Sequence, residues 1–256
     1  MRRRLLGMRG PMNSEGPRVA RRRAPSVPAL RVEEEFLLLD LQSRPEVRHS
    51  TVRTVTPPCT GLPELAARLR ELRRVSATAA HGTRVHVAVP DRRTASQVCD
   101  HLLAWLPLIQ ALTAGSPLRE GADTGHDATG VLPATARPSA AFPAGVEVRV
   151  GDVCPTVDDT VLVAGLLRAL VATATEYVAT GVPAVPVADR VLRAAQRDAA
   201  HEGLEGTLLD LRTLASRPAW ALLDDLVTAV GPALTRHGDL GFVRDGLARA
   251  RLTVDG

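Results

Sequence analysis

The chain has 256 residues and 45% hydrophobic content, enough to bury one large core or two small ones, so it is globular. All 32 basic residues are arginine, and nine of them, with one acid, fall in residues 1–31; that segment carries +8 of a net +4, which leaves the body of the chain at −4. An acidic body with 2% aromatics offers neither a basic groove nor stacking platforms, so nucleic acid is not an expected partner.

Residues 1–30 are rich in arginine and proline and read as a disordered tail, not a signal peptide, because Leu5-Leu6 is too short for an apolar central region. Residues 31–256 read as one domain. The longest apolar run, Val161 to Leu167, is closed by Arg168, so no membrane span is expected. Cys59, Cys99 and Cys154 form no CxxC pair, the usage of a reducing compartment, and a cytoplasmic location follows.

Val32 to Asp40 (VEEEFLLLD) reads as the first strand. Glu33 and Glu35 share one face and Glu34 takes the other; two carboxylates on one face suit a hard cation, and equally a solvated sheet edge. A second strand spans Thr51 to Thr56, carries Arg53, and is stopped by Pro57-Pro58. Leucines 62, 65, 69 and 72 predict a helix over Leu62 to Ala80. The third strand, His81 to Pro90, places its valines on one face and Arg84, His86 and Ala88 on the other; His86 is there a candidate metal ligand or an ordinary hydrogen-bonded histidine. Asp91 caps the next helix, which Pro107 is expected to kink. From Thr113 to Gly145 there is no sustained periodicity, a length unusual for a loop in a compact domain.

Val146 to Val150 (VEVRV) alternates cleanly, with Glu147 and Arg149 on one face. An acid beside a guanidinium suits a metal-nucleotide complex; the same pattern also describes a surface strand with a cross-strand ion pair. Thr156 caps a long helix ending near Thr180, with Gly181 and Pro183 beyond it. Further helices are predicted at Val187 to Glu202, Ala219 to His237 and Gly241 to about Arg251, so the last third is expected to be helical.

In order along the chain, VEEEFLLLD, TVTPPC, GTRVHVAVPDR, LLAWLPLIQALTAGSP, DTG, VEVRVGDVCPTVDD and LRAAQRDAAHEGLEG resemble the bacterial carboxylate-amine ligase family related to glutamate-cysteine ligase, type 2. The resemblance implies an α+β, glutamine-synthetase-like fold: an antiparallel sheet with flanking helices. It implies an ATP- and Mg2+-dependent ligase that phosphorylates glutamate and lets an amine, such as that of cysteine, displace phosphate. It makes Glu33, Glu35, His86 and Glu147 metal ligands and sets Arg149, as catalytic and nucleotide-binding residue, toward the phosphate. It is compatible with a homo-oligomer.

Two positions depart from the family pattern. Arg53 stands where members typically carry a metal-binding glutamate, and Arg84 stands where a histidine is frequent. The chain is also short before GTRVHV and before VEVRV. A catalytically degenerate member kept as a binding or partner protein is the alternative expectation.

Overall fold

The computed structural model describes residues 27–38, 50–75, 79–114, 133–151 and 154–254. The expected arginine-rich tail lies almost wholly outside them, as does most of the stretch from Thr113 to Gly145.

Five strands form one antiparallel sheet: β1 (Leu30–Leu38), β2 (Ser50–Val55), β3 (Ala79–Ala88), β4 (Thr135–Pro138) and β5 (Gly145–Arg149), in the order β2-β1-β3-β5-β4. Alternation gives the sheet two unlike faces. Leu30, Val32 and Phe36 of β1, Val85 and Val87 of β3, and Val146 and Val148 of β5 are buried in the core. The charged residues that alternate with them, Arg31, Glu33, Glu35, Arg84, His86, Glu147 and Arg149, occupy the other face, while Glu34 faces the core.

Among the described residues, seven helices build the rest of the core: α1 (Leu62–Val75), α2 (Arg92–Leu102), α3 (Leu106–Ala114), α4 (Val157–Thr180), α5 (Asp189–Glu202), α6 (Ala219–His237) and α7 (Leu240–Val254), with α2 and α4 packed directly on the core face of the sheet. α4 packs against β1 and β3 and against α1, α2, α6 and α7. By length and composition α4 is apolar enough to cross a membrane, but 72% of that apolar window is buried inside the protein, which makes it the central core helix. Its first turn is closed reciprocally: Thr156 Oγ1 accepts from the Asp159 amide, and Asp159 Oδ2 accepts from the Thr156 amide. Gly181, at φ 74°, ends it in the left-handed conformation that glycine adopts without strain.

Several boundaries differ from the sequence reading. α1 stops at Val75, and β3 begins at Ala79. At Pro107, which has no N–H to donate to the Leu103 carbonyl, the chain makes a 3-10 turn over Leu103–Trp105; the Leu106 amide takes up that carbonyl and α3 begins there. The last third is not purely helical: β6 (Thr207–Asp210) and β7 (Ala215–Pro218) form a separate hairpin. Its charges tie it to its neighbours, with Arg212 bonded to Asp210 and to Asp225 of α6 and stacked over Trp105.

Two buried ion pairs join the layers. Glu34, fully buried on the core face, accepts from Arg73 Nη2 at 2.6 Å and Nε at 3.1 Å; the same guanidinium reaches the Cys154 and Pro155 carbonyls and Thr160 Oγ1. Arg168, fully buried in α4, bonds Asp239 Oδ2 at 2.5 Å and the Thr60 carbonyl at 2.6 Å. Arg168 is thus bonded within the core through both Nη atoms, while its buried Nε has no partner among the described residues.

Candidate functional site on the charged sheet face

The antiparallel register stacks the charged side chains in rows across the sheet. One row runs Arg31, His86, Glu147, Arg137 over β1, β3, β5 and β4. The next runs Glu33, Arg84, Arg149, Thr135. A third joins Arg53 of β2 to Glu35 of β1 and Gly82 of β3. Past Glu35 the pairing of β1 with β3 shifts by a residue, so the rows end there.

All five residues expected at the site, Glu33, Glu35, His86, Glu147 and Arg149, therefore lie on one face. Arg84 and Arg137 were not expected as their partners. Arg84 Nη1 bridges the two β1 acids, at 2.5 Å from Glu33 Oε1 and 2.9 Å from Glu35 Oε1, while Nη2 lies 3.2 Å from Glu35 Oε2. Arg53 approaches from the neighbouring strand, with Nε 3.2 Å from Glu33 Oε1 and Nη2 3.1 Å from Glu35 Oε1. The Arg84 hydrogen bond, with help from Arg53, holds the Glu35 carboxyl below the usual range, and the Glu35 hydrogen bond raises the Arg84 guanidinium in turn. Both groups stay charged. Glu147 accepts from Arg137, at 2.9 Å from Nε and 2.7 Å from Nη2.

His86 sits at the centre, 3% exposed. Burial pushes its pKa down, against the pull of Glu147 and Glu33, so the imidazole is neutral. Its Nδ1 shares a hydrogen bond with Ser139 Oγ at 2.8 Å, and its buried Nε2 has no hydrogen-bond partner among the described residues; Glu33 Oε2 is 3.8 Å from it. Two guanidinium nitrogens on the same face, Arg31 Nε and Arg149 Nε, are likewise buried without a partner among the described residues. Gly82 lies beneath Arg149: a Cβ there would stand 3.8 Å from Arg149 Nη2 and 3.6 Å from the Gly151 carbonyl, so the missing side chain keeps space beside the guanidinium.

With His86 neutral, the rows carry five arginines (Arg31, Arg53, Arg84, Arg137 and Arg149) against three glutamates, an excess of two positive charges on a half-buried surface. Such a surface accepts an anion with several oxygens. Sequence reasoning missed Arg31, counted only with the basic charge of residues 1–31 although it lies two residues before Glu33 and so on the same face. It missed Arg137 and Ser139 because a four-residue strand is too short to show a period.

The family model for glutamate-cysteine ligase family 2 matches residues 75–129 and 134–249. The chain belongs to this family. A protein of Salinispora arenicola assigned the name glutamate–cysteine ligase 2 is 41% identical over 87% of this chain and 86% of its own length. A protein of the same assigned name in Salinispora tropica is 40% identical with the same coverage. The Salinispora arenicola alignment extends over 327 positions, whereas 87% of 256 residues is about 223, so roughly a hundred positions of the relative have no counterpart here. The fold is also that of the ligase PafA, solved in complex with the prokaryotic ubiquitin-like protein Pup (12% identity, TM-score 0.51) and with ADP (15% identity, TM-score 0.50). This chain spans 63% and 58% of those two chains. At that identity the likeness is one of fold, and it agrees with the α+β, glutamine-synthetase-like expectation. Family membership makes the chain a ligase by descent.

Proposed function

We propose that this family member is an ATP-dependent carboxylate-amine ligase of the glutamate-cysteine ligase type, acting in the cytoplasm, and that the charged sheet face is its nucleotide-phosphate site. The observation that carries the reading is the excess of guanidinium on that face, with Arg31 Nε and Arg149 Nε buried and unpartnered among the described residues. A buried donor without an acceptor is costly unless a ligand supplies one, and phosphate oxygens supply several. In the reaction a carboxylate oxygen of glutamate attacks the terminal phosphorus of ATP, ADP leaves, and an amine nitrogen, cysteine's in the type reaction, then attacks the acyl carbon and expels phosphate. The protein's share is positioning and charge neutralisation. Arg149 and Arg31 hold the transferring phosphoryl oxygens, and neutral His86, held by Ser139, turns Nε2 toward the reacting groups.

Magnesium fits this chain differently from what the resemblance implies. Glu33, Glu35, Glu147 and His86 are the right donor types for a hard cation. Among the described residues, however, no three acidic, histidine or cysteine side chains converge on one point, and the β1 carboxylates are taken up by Arg53 and Arg84. No step is therefore assigned to a protein-held ion at Glu33 and Glu35; magnesium enters as the counter-ion of ATP.

The test is phosphate release from ATP with glutamate and a panel of amines, with and without magnesium, alongside ATP binding by calorimetry. Release is expected to require glutamate and an amine together. Arg149→Ala is expected to weaken ATP binding by about 2 kcal/mol, or roughly thirtyfold, the worth of a charge-assisted hydrogen bond, with the melting temperature unchanged. A parent protein that binds neither ATP nor ADP at millimolar concentration would overturn the reading.

A further inference from the structure

We infer that Arg84 and Arg53 act as built-in cations in place of a divalent ion at Glu33 and Glu35, so that the folded protein needs no metal of its own there. Two carboxylates facing each other across one residue of a strand repel unless a cation lies between them. Here the cation is covalently part of the protein. Arg84 Nη1 sits between Glu33 Oε1 and Glu35 Oε1 as a bridging ion would, and Arg53 closes the same pair of oxygens from the sheet edge. The four side chains sum to zero charge, and the carboxylate oxygens Glu33 Oε1 and Glu35 Oε1 each contact both guanidiniums. A divalent ion entering this pair would have to displace a guanidinium or lie against two of them, and both oppose binding. The register explains how Arg84 gets there: it pairs directly with Glu33 on the adjacent strand, and its side chain reaches along the row to Glu35.

The inference rests on the reading of this face as the site, but its test uses no nucleotide, so the two fail separately. Magnesium is titrated into the nucleotide-free, full-length protein at matched ionic strength, by calorimetry and by melting curve. The parent is expected to show no saturable uptake and the same melting temperature in EDTA as in about 10 mM magnesium. In Arg53→Ala/Arg84→Ala the acids lose their cations, so the melting temperature falls in EDTA. Magnesium is expected to restore it and to bind at least roughly tenfold more tightly than to the parent. Adding Glu33→Gln and Glu35→Gln is expected to abolish both the destabilisation and the magnesium response, which assigns them to these two carboxylates. Arg53→Ala alone, at a side chain 59% exposed, keeps Arg84 in place and serves as the milder variant. Saturable magnesium binding by the parent at submillimolar concentration would overturn the inference. So would a double variant that magnesium does not rescue together with an Arg53→Ala variant whose magnesium affinity does not rise.

Discussion

Removing the Glu34 carboxylate, in Glu34→Ala, tests the division of the three consecutive β1 acids between the two faces of the sheet. Glu34 is fully buried on the core side, and its partner Arg73 is 17% exposed, so the change strands a guanidinium among α1, α4 and the sheet. Breaking a buried pair from one side costs about 3–5 kcal/mol. The lower end applies, because Arg73 keeps the Cys154 and Pro155 carbonyls and Thr160 Oγ1 as acceptors. A loss of about 3 kcal/mol lowers the melting temperature of a chain this size by about 6–12 °C. Glu35→Gln is expected to cost less than half as much, since Arg84 retains Glu33 at 2.5 Å and Arg53 is already largely in water. The assay is denaturant unfolding of both variants beside the parent, with ATP binding measured on the folded fraction. Glu34→Ala is expected to lose stability while keeping nucleotide affinity. Equal destabilisation by the two variants, or a Glu34→Ala variant melting within about 2 °C of the parent, would refute the division of roles.

Two further outcomes follow from the core. Burial, with the charges of Arg168 and Arg236, pushes His237 down to about 4, and its Nδ1 has no hydrogen-bond partner among the described residues, with Asp239 Oδ2 4.0 Å away. The unfolded chain therefore binds the extra proton first; the contribution is full above the unfolded value of about 6.5 and is lost as pH falls toward 4, at about 2–3 kcal/mol. His237→Gln is expected to flatten the pH 4 to 7 stability profile by that amount, and identical slopes for variant and parent in denaturant titrations would contradict it. Gly165 of α4 lies against Leu62, where a Cβ would stand 2.9 Å from Leu62 Cδ1 in a fully packed core; Gly165→Val is expected to cost about 1–3 kcal/mol despite valine's better helix propensity, read from the denaturant midpoint.

Local pattern by itself determined much of this protein. The VEEEF and VEVRV alternations put Glu33, Glu35, Glu147 and Arg149 on faces without any tertiary information, because a strand has a period of two. Asp91 and Thr156 mark helix starts through chemistry confined to three residues, and both cap as expected. The leucine spacing of α1 and the apolar length of α4 announced core helices, and the ordered set of short motifs carried the family resemblance that the comparisons bear out. What local pattern does not contain is the neighbour across a strand. Whether Arg84 would stand beside Glu33 or a residue away depends on the hydrogen-bonded register of β1 with β3, including its shift after Glu35, and that register is set by the packing of both strands on α4. Arg31 and Arg137 joined the site for the same reason: each is brought to it by a pairing partner, His86 and Glu147, more than fifty residues away in one case and ten in the other. A period of two tells which side of the sheet a charge takes, and only the folded sheet decides which opposite charge it meets there.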